Sequence, residues 1–180
     1  PILIQDVALC QITGTVTVAE PPVLAATYTT TPALCNASCD GELAITASGG
    51  TAPYFYSSDN GSSFTVASTL MNLCAGTYQV IVKDDNDCVI ASTQTITEPA
   101  AIVLNVVPTA STCALPNGEL LLNTSGGVSG FGYSIDGGAT VLGTNNFTGL
   151  LAGTYDVVVI DSNNCQITSQ EILLNQASPI

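Results

Sequence analysis

Cysteine is the most reactive side chain that this sequence offers in quantity. The chain has seven cysteines, no histidine and a single basic side chain, Lys83. Catalytic Ser-His and Cys-His pairs, histidine metal sites and Schiff-base lysines need residue types that are missing or nearly missing here. The sequence therefore predicts that the protein is not an enzyme. The cysteines fit either a reduced core or an oxidised extracellular framework, so their spacing has to decide.

Two acidic turns are the other candidates for chemistry. Asp84, Asp85 and Asp87 lie close together, and Asp161 opens a similar turn beside Asn163 and Asn164. Carboxylate and amide oxygens are the ligands that calcium prefers, and Glu98 is a further candidate beside Asp161. The spacing matches no EF-hand loop, however, and Asx-rich segments are common in tight turns. We favour plain turns, with calcium as the alternative and no other cofactor implied.

Charge excludes two classes of partner. Fourteen acidic residues against one basic residue give a formal net charge of −13 at pH 7. Such a field repels nucleic acids and anionic lipid surfaces. The sequence also has no apolar run of the roughly 18 residues that a membrane span needs. We expect neither nucleic-acid binding nor direct membrane insertion.

An internal repeat organises the chain. A shift of 77 residues places Gly41–Leu43 on Gly118–Leu120 and Ala75–Tyr78 on Ala152–Tyr155. A shift of 78 matches Cys35 to Cys113, and Glu20-Pro21 to Glu98-Pro99. The predicted units are residues 21–98 and 99–176. Residues 1–20 would be the closing strands of a preceding repeat, and residues 177–180 the start of the next repeat or a linker.

Each repeat has the pattern of a small β-sandwich. Apolar residues alternate with period two, as in the core set Tyr78, Val80 and Val82, and turn residues bound the segments. Further predicted strands in the first repeat cover residues 42–47, 54–57, 64–73 and 89–97. About seven short strands in about 77 residues predict an all-β fold of tandem immunoglobulin-like sandwiches. Tyr78 and Tyr155 are either tyrosine corners or plain core residues.

Two cysteines of the first repeat are lost together in the second. At a shift of 77 residues, Cys39 and Cys74 fall on Pro116 and Leu151. Loss as a pair indicates a bond between the pair. In a sandwich the turns that carry them lie at the same end, so a Cys39–Cys74 disulfide is sterically easy.

The other cysteines leave three pairings open. Pairing within each repeat joins Cys35 to Cys88 and Cys113 to Cys165, but in an immunoglobulin order these lie at opposite ends of a module. Pairing between repeats joins Cys35 to Cys165, and then Cys10, Cys88 and Cys113 would find partners outside this sequence. A third option joins Cys88 to Cys113 across a hairpin. We favour the pairing between repeats.

The motifs together resemble the SprB repeat. They include Asp40-Gly41, Ser48-Gly49-Gly50, Leu73-Cys74-Ala75-Gly76-Thr77-Tyr78, Cys88 and Glu98-Pro99. Large secreted surface proteins of Bacteroidetes-type bacteria carry this unit in long tandem arrays, and the mobile adhesin of gliding cells is one of them. The resemblance implies type IX secretion, an extracellular or cell-surface location, and an adhesive or scaffolding role.

Two functions follow as hypotheses. The first is a structural and adhesive stalk within a large repetitive surface protein or filament. Its partners would be neighbouring repeats of the same chain, surface polysaccharide, or further copies in a filament. The alternative is a carbohydrate-binding or accessory module of a secreted enzyme. Because the aromatic residues fall mostly at core positions and Glu-Pro links the repeats without a flexible spacer, we favour a stiff stalk.

Overall fold

The computed structural model describes residues 1–113 and 115–169, together with the backbone of residues 172–174. Within that part of the chain every regular element is a β-strand. A short hairpin comes first, formed by β1 (Ile2–Gln5) and β2 (Gln11–Gly14). That residues 1–20 are the closing strands of a preceding repeat stays a prediction.

The first module contains six strands in two sheets. They are β3 (Ala25–Thr31), β4 (Gly41–Ser48), β5 (Phe55–Ser57), β6 (Thr69–Leu73), β7 (Gly76–Lys83) and β8 (Val89–Ile96). One sheet has the order β3-β4-β6 and the other β5-β7-β8, with antiparallel pairing throughout. This is the A-B-E and C-F-G arrangement of an immunoglobulin sandwich without its D strand. The predicted fold class is confirmed, with six strands rather than about seven.

The second module repeats this plan. Its strands are β9 (Val103–Thr109), β10 (Gly118–Ser125), β11 (Gly132–Ser134), β12 (Asn146–Leu150), β13 (Gly153–Tyr155), β14 (Val158–Ile160), β15 (Gln166–Thr168) and β16 (Ile172–Leu174). The sheets have the orders β9-β10-β12 and β11-β14-β15, and β13 pairs with β16. Where the first module has the long hairpin β7-β8, the second has two shorter pairings. Residues 177–180 lie outside the described part.

The core of each module lies between its two sheets. In the first module Leu43 and Ile45 of one sheet pack against Val80 and Val82 of the other. In the second module Leu120 and Leu122 pack with Val157 and Val159 in the same way. All of these side chains are buried, because strand alternation turns every second residue inward. Tyr78 and Tyr155 pack at the edges of the two clusters.

The strand directions decide which turns lie near which. The β3–β4 turn (residues 32–40) lies at the same end of the first sandwich as the end of β8, because Ala33 donates a backbone hydrogen bond to Thr97. The β7–β8 turn (residues 84–88) lies at the opposite end, beside Thr51. The second module follows β8 directly, so its starting end faces the β3–β4 turn.

Candidate functional site at the module junction

A disulfide joins the two modules. Cys35, in the β3–β4 turn, is bonded to Cys165, with their Cα atoms 5.6 Å apart and 130 residues between them in sequence. Cys165 closes the β14–β15 turn (residues 161–165) at the starting end of the second module. The junction therefore has two covalent connections, one through this bond and one through the Glu98-Pro99 peptide.

A second disulfide lies within the first module. Cys39 and Cys74 are bonded, with their Cα atoms 3.8 Å apart. The pair ties the entry of β4 to the turn between β6 and β7, at the end where Gly41 pairs with Leu73. It closes a loop that contains β4, β5 and β6, three of the six strands of the first module.

The two other pairings considered for the remaining cysteines are not formed. Cys35 and Cys88 lie at opposite ends of the first sandwich, and an eight-residue strand such as β4 spans about 25 Å. That distance far exceeds the reach of a disulfide, so the pairing within each repeat was the wrong alternative. Cys88 and Cys113 do not pair across a hairpin either. Both are free and exposed, as is Cys10.

A buried carboxylate fixes the position of Cys165. The side chain of Asp161 is only 4% exposed, and it accepts backbone hydrogen bonds from Val128, Asn163 and Cys165, each 2.9 Å long. Val128 comes into reach because the preceding Gly126 and Gly127 both have positive φ, which glycine adopts without strain. The turn thus holds Cys165 against the end of β10.

The same turn occurs in the first module. Asp84 accepts from the backbone of Thr51 at 2.8 Å, Asn86 at 3.0 Å and Cys88 at 2.9 Å. Burial by itself raises the pKa of Asp84, but these three backbone donors outweigh burial and lower the pKa. The carboxylate therefore stays ionised as the acceptor at the centre of the turn. Asp6 holds Ala8 and Cys10 in a third copy of this turn.

Polar contacts hold the β3–β4 turn on both sides of the junction disulfide. The side-chain amide of Asn163 donates to the carbonyl of Leu34 at 2.8 Å. On the other side, the carboxylate of Glu98 accepts from the Asn36 side chain at 2.8 Å and from the Ala37 backbone at 2.6 Å. Asn36 also donates to the carbonyl of Pro99 at 3.2 Å. Each module and the linker thus contribute a contact.

A groove of about 420 Å³ lies at the starting end of the second module, and the cysteine-bearing turn forms one of its sides. The second module contributes Pro99–Ile102, Gly127, Asp161 and Asn164–Ile167 to its lining, and the first module contributes Cys35 and Asn36. The turn of the preceding module and the starting end of the second module therefore enclose this groove between them.

The calcium candidates do not form a cluster. Asp84 and Asp161 accept hydrogen bonds from backbone donors in different modules, and Glu98 binds Asn36 and Ala37. Asp87 pairs with Lys83 at 2.9 Å, and Asp85 is exposed. Across the described ranges no three acidic, cysteine or histidine side chains are grouped as metal ligands. Asp84 and Asp161 thus act as acceptors for the backbone of tight turns.

Asp40 ends the β3–β4 turn, directly before β4. Asp40 accepts from Ser38 Oγ at 2.6 Å and from the backbone of Leu34 at 3.1 Å. The bond from Ser38 is the main cause of a lowered pKa for Asp40. Asp40 therefore shapes the β3–β4 turn that presents Cys35.

Both tyrosine corners are present. The hydroxyl of Tyr78 donates to the carbonyl of Cys74 at 2.8 Å, and that of Tyr155 donates to the carbonyl of Leu151 at 2.9 Å. Each bond runs four residues upstream, the pattern of an immunoglobulin tyrosine corner. The two tyrosines therefore serve both as core residues and as turn anchors.

Aromatic side chains offer no flat platform for a sugar in the part of the chain described. Phe64 is the one exposed aromatic residue there, and Lys83 lies 5.3 Å from its ring centroid and 5.5 Å from that of Phe55. The other aromatic residues are buried or half-buried. Lys83 forms a cation–π contact where a sugar ring would have to stack.

Sequence reasoning missed the polar contacts of the junction. Asn36 carried no structural prediction and Asn163 was interpreted as a turn residue, although their side chains bond to Pro99 and Leu34 across the junction. The recurrence of Glu20-Pro21 as Glu98-Pro99 was the one available signal that the glutamate has a fixed role.

Together, the topology, the tyrosine corners and the stapled junction define a tandem array of immunoglobulin-like β-sandwich modules. Residues 27–63 match the family model of the SprB repeat, which confirms over that segment the resemblance found in the sequence. No protein among those with curated functions matches the chain. In the described part no helix is long and apolar enough to cross a membrane.

Two solved structures of modular proteins are similar to the chain. One comprises the three N-terminal domains of the highly immunogenic outer capsid protein (Hoc) of bacteriophage RB49, with a TM-score of 0.49, 17% identity, and coverage of 86% of this chain and 59% of that one. The other is a C-terminal fragment of intimin in complex with the intimin-binding domain of its translocated receptor, with a TM-score of 0.42, 14% identity, and coverage of 87% and 64%. The chain thus spans less than two thirds of each.

Proposed function

We propose that this chain is a structural and adhesive stalk segment of a large repetitive protein on the bacterial cell surface. Its modules act as spacers that transmit position and tension along the array, and it has no catalytic role. The SprB-repeat match supports the extracellular assignment, as do two disulfides, which persist in oxidising surroundings. Type IX export and membership of a gliding adhesin are the more specific form of this proposal.

The Cys35–Cys165 bond is the observation that carries the proposal. A hinge between modules needs a single flexible connection, whereas this junction has the disulfide, a proline-containing linker and the contacts of Glu98 and Asn163. Because two covalent connections at separate points remove most relative rotation, we expect the two modules to hold one angle. A fixed angle repeated along an array gives a stiff rod.

Small-angle scattering of the chain with and without the junction bond tests this proposal. The wild-type protein should give a narrow distribution of shapes, and the double variant Cys35→Ser/Cys165→Ser a broader one with a changed maximum dimension. The matched control is Cys39→Ser/Cys74→Ser, which removes a disulfide inside one module and should leave the angle between modules unchanged. A wild-type protein as variable as the Cys35→Ser/Cys165→Ser variant would contradict the stalk.

A glycan array tests the carbohydrate-binding alternative separately. The only exposed aromatic ring in the described part, Phe64, is covered by Lys83, which argues against a stacking platform. We expect no saturable glycan binding by the purified chain. Binding that disappears in Phe64→Ala but persists in Phe147→Ala would favour the carbohydrate-binding module instead.

A further inference from the structure

The starting end of the first module has the same groove as the starting end of the second. The Cys35 turn forms one side of the groove of the second module. The first-module groove, of about 290 Å³, is lined at the equivalent positions by Pro21–Leu24, Gly50, Asp84 and Cys88–Ile90. We call it the open groove. Among the described residues, no turn from another module lies in it, and its cysteine, Cys88, is free and exposed.

The open groove also carries counterparts of the polar groups that hold the Cys35 turn. Glu20 precedes Pro21 as Glu98 precedes Pro99, and it is exposed. Asn86 occupies the position of Asn163, and its amide donates to Thr51 Oγ1 at 2.9 Å. Asp84 fixes Cys88 through its backbone just as Asp161 fixes Cys165. A cysteine, an amide donor and a carboxylate thus occupy the positions that are equivalent in sequence to those at the junction groove.

We propose that the open groove is a receptor for the cysteine-bearing turn of another module of the same kind, which it binds by a disulfide to Cys88. The carboxylate of Glu20 accepts hydrogen bonds from the asparagine side chain and the backbone N–H that follow the incoming cysteine. The side-chain amide of Asn86 gives up its bond to Thr51 and donates to the carbonyl of the residue before that cysteine. This inference rests on the proposed stalk and identifies the chemical group that binds the preceding module.

The argument for this occupant comes from the structure of the chain itself. The equivalent groove holds a turn with the sequence Leu34-Cys35-Asn36-Ala37 through a disulfide and hydrogen bonds. The first-module groove has largely apolar walls, with Val23 88% and Val89 60% exposed. An incoming turn would cover that apolar surface, which favours docking.

The covalent step is a thiol–disulfide exchange. Oxidised glutathione first reacts with the Cys88 thiol. One glutathione stays bonded to Cys88 as a mixed disulfide, and the other leaves as reduced glutathione. The thiolate of an incoming cysteine then attacks the Cys88 sulfur. The bond from Cys88 to glutathione breaks, the bond from Cys88 to the incoming cysteine forms, and the glutathione thiolate takes up the proton that the incoming thiol released. This second step changes no oxidation state overall.

A synthetic peptide with the sequence of residues 32–38, which contains one cysteine, tests the proposal on the folded chain. The test protein carries Cys10→Ser and Cys113→Ser, so that Cys88 is its one free thiol beside the two disulfides. At equilibrium with glutathione and peptide, intact mass spectrometry gives the ratio of peptide adduct to glutathione adduct. Because both adducts form on the same sulfur, the intrinsic properties of that thiol cancel from the ratio.

The matched reference carries Cys88→Ser and Cys113→Ser, which leaves Cys10. Cys10 ends a turn built on Asp6 like that of Cys88 on Asp84, but it is not one of the residues that line the open groove. We expect the adduct ratio to be about tenfold higher at Cys88 than at Cys10, the size expected of two additional hydrogen bonds. Equal ratios at the two cysteines would overturn the proposal.

Two further variants distinguish specific docking from non-specific binding of the peptide. Glu20→Ala in the Cys88 protein should lower its adduct ratio severalfold, while Glu119→Ala, in the second module, should leave the ratio unchanged. A peptide in which the asparagine is replaced by alanine should also bind less well. If Glu20→Ala leaves the adduct ratio unchanged, the proposed recognition of the turn by the groove is wrong. Scattering of the chain without peptide is a separate measurement, so the stalk can stand if the receptor fails.

Discussion

The two modules share one fold but differ in how they are held together. The first has the Cys39–Cys74 disulfide and an uninterrupted β7-β8 hairpin of eight paired residues on each strand. The second has Pro116 and Leu151 at the positions of those cysteines, and its hairpin is divided into the pairs β14-β15 and β13-β16. The sandwich therefore tolerates loss of an internal disulfide, while both modules retain the aspartate turn and its cysteine.

The divided hairpin has a measurable register difference. Val158 pairs with Thr168, the counterpart of Ile81 pairing with Ala91 at a shift of 77 residues. Gly153, however, pairs with Leu174, whereas the same shift from the Gly76–Ile96 pair would give residue 173. The second module thus takes up one extra residue along this strand.

The two modules also differ in buried hydroxyl groups. In the described part of the chain, Ser111 Oγ and Thr124 Oγ1 are buried without a hydrogen-bond partner. The first module has Ala33 and Ala47 at the equivalent positions. An unpaired buried hydroxyl costs free energy, so the second module carries two penalties that the first avoids. The comparison indicates that the first module is the more stable of the two.

Removal of the internal disulfide should have the largest effect on this difference. We expect Cys39→Ser/Cys74→Ser to lower the free energy of unfolding of the first module by about 2–4 kcal/mol, because its unfolded chain regains freedom. Hydrogen exchange of β4 and β10 reports on the two modules separately. Faster exchange in β4, with β10 unchanged, is the expected result. An equal loss of protection in both would show that the modules unfold as one unit.

Exchange of one residue between the modules should have a smaller effect. Ser111→Ala should raise the free energy of unfolding of the second module by about 1 kcal/mol, because the variant no longer buries an unpaired hydroxyl. The reverse change, Ala33→Ser, should destabilise the first module by about 1–3 kcal/mol. Urea unfolding of each single variant measures both effects. Destabilisation by Ser111→Ala would mean that the hydroxyl is satisfied in solution.

The tyrosine corners should contribute about equally. Tyr78→Phe and Tyr155→Phe each remove one hydrogen bond while leaving the ring in the core, at an expected loss of about 0.5–1.5 kcal/mol. Thermal unfolding of the two variants measures the loss of stability that each change causes. A much larger loss for Tyr155→Phe would indicate that the second module, without its own disulfide, depends on its corner more strongly than the first.

Acid should weaken both modules through one pair of equivalent aspartates. Ser57 and Ser63 donate to Asp59, and Ser134 and Thr140 to Asp136, and these bonds lower the pKa of each aspartate to about 2. The folded pKa lies below the unfolded value of 3.8, so the stabilisation is complete above about pH 4 and is lost as pH falls toward 2.

Urea unfolding between pH 5 and about pH 2 measures this loss. Asp59→Asn and Asp136→Asn should each flatten the fall in stability, since the amide does not titrate. The exposed Asp85 offers the control Asp85→Asn, which should leave the slope unchanged. A slope unaffected by Asp59→Asn and Asp136→Asn would mean that other carboxylates dominate acid unfolding.

Sequence alone predicts the fold where a repeat and a strand period coincide. Val80 and Val82, with their counterparts Val157 and Val159, are core residues as the alternation predicts. The predicted strand 64–73 is wrong in its first half. The strand begins at Thr69, because Thr65 instead exchanges two backbone hydrogen bonds with Tyr56 in β5 of the other sheet. The strand Ala25–Thr31 escaped notice because its small residues and threonines show little alternation.

The junction was less predictable than the modules. The cysteine pattern narrowed the pairings to three but could not choose among them. The choice depends on the chain topology, which places Cys35 and Cys88 a full sandwich length apart. The bonds of Asn163 to Leu34 and of Glu98 to Asn36 depend on how one module is placed on the next. No periodicity within a repeat encodes that placement. The open groove is formed by segments far apart in sequence, so no local pattern predicts it.

The junction disulfide also changes what happens when the backbone is cut. Cys35 and Cys165 are 130 residues apart, and a proteolytic cut at any peptide bond between them leaves both fragments attached through their sulfur atoms. The exposed loops of both modules, where proteases act first, lie inside that interval. A single cleavage across most of the chain therefore leaves one covalent molecule, and a second kind of damage, reduction of the disulfide, is needed before the pieces separate.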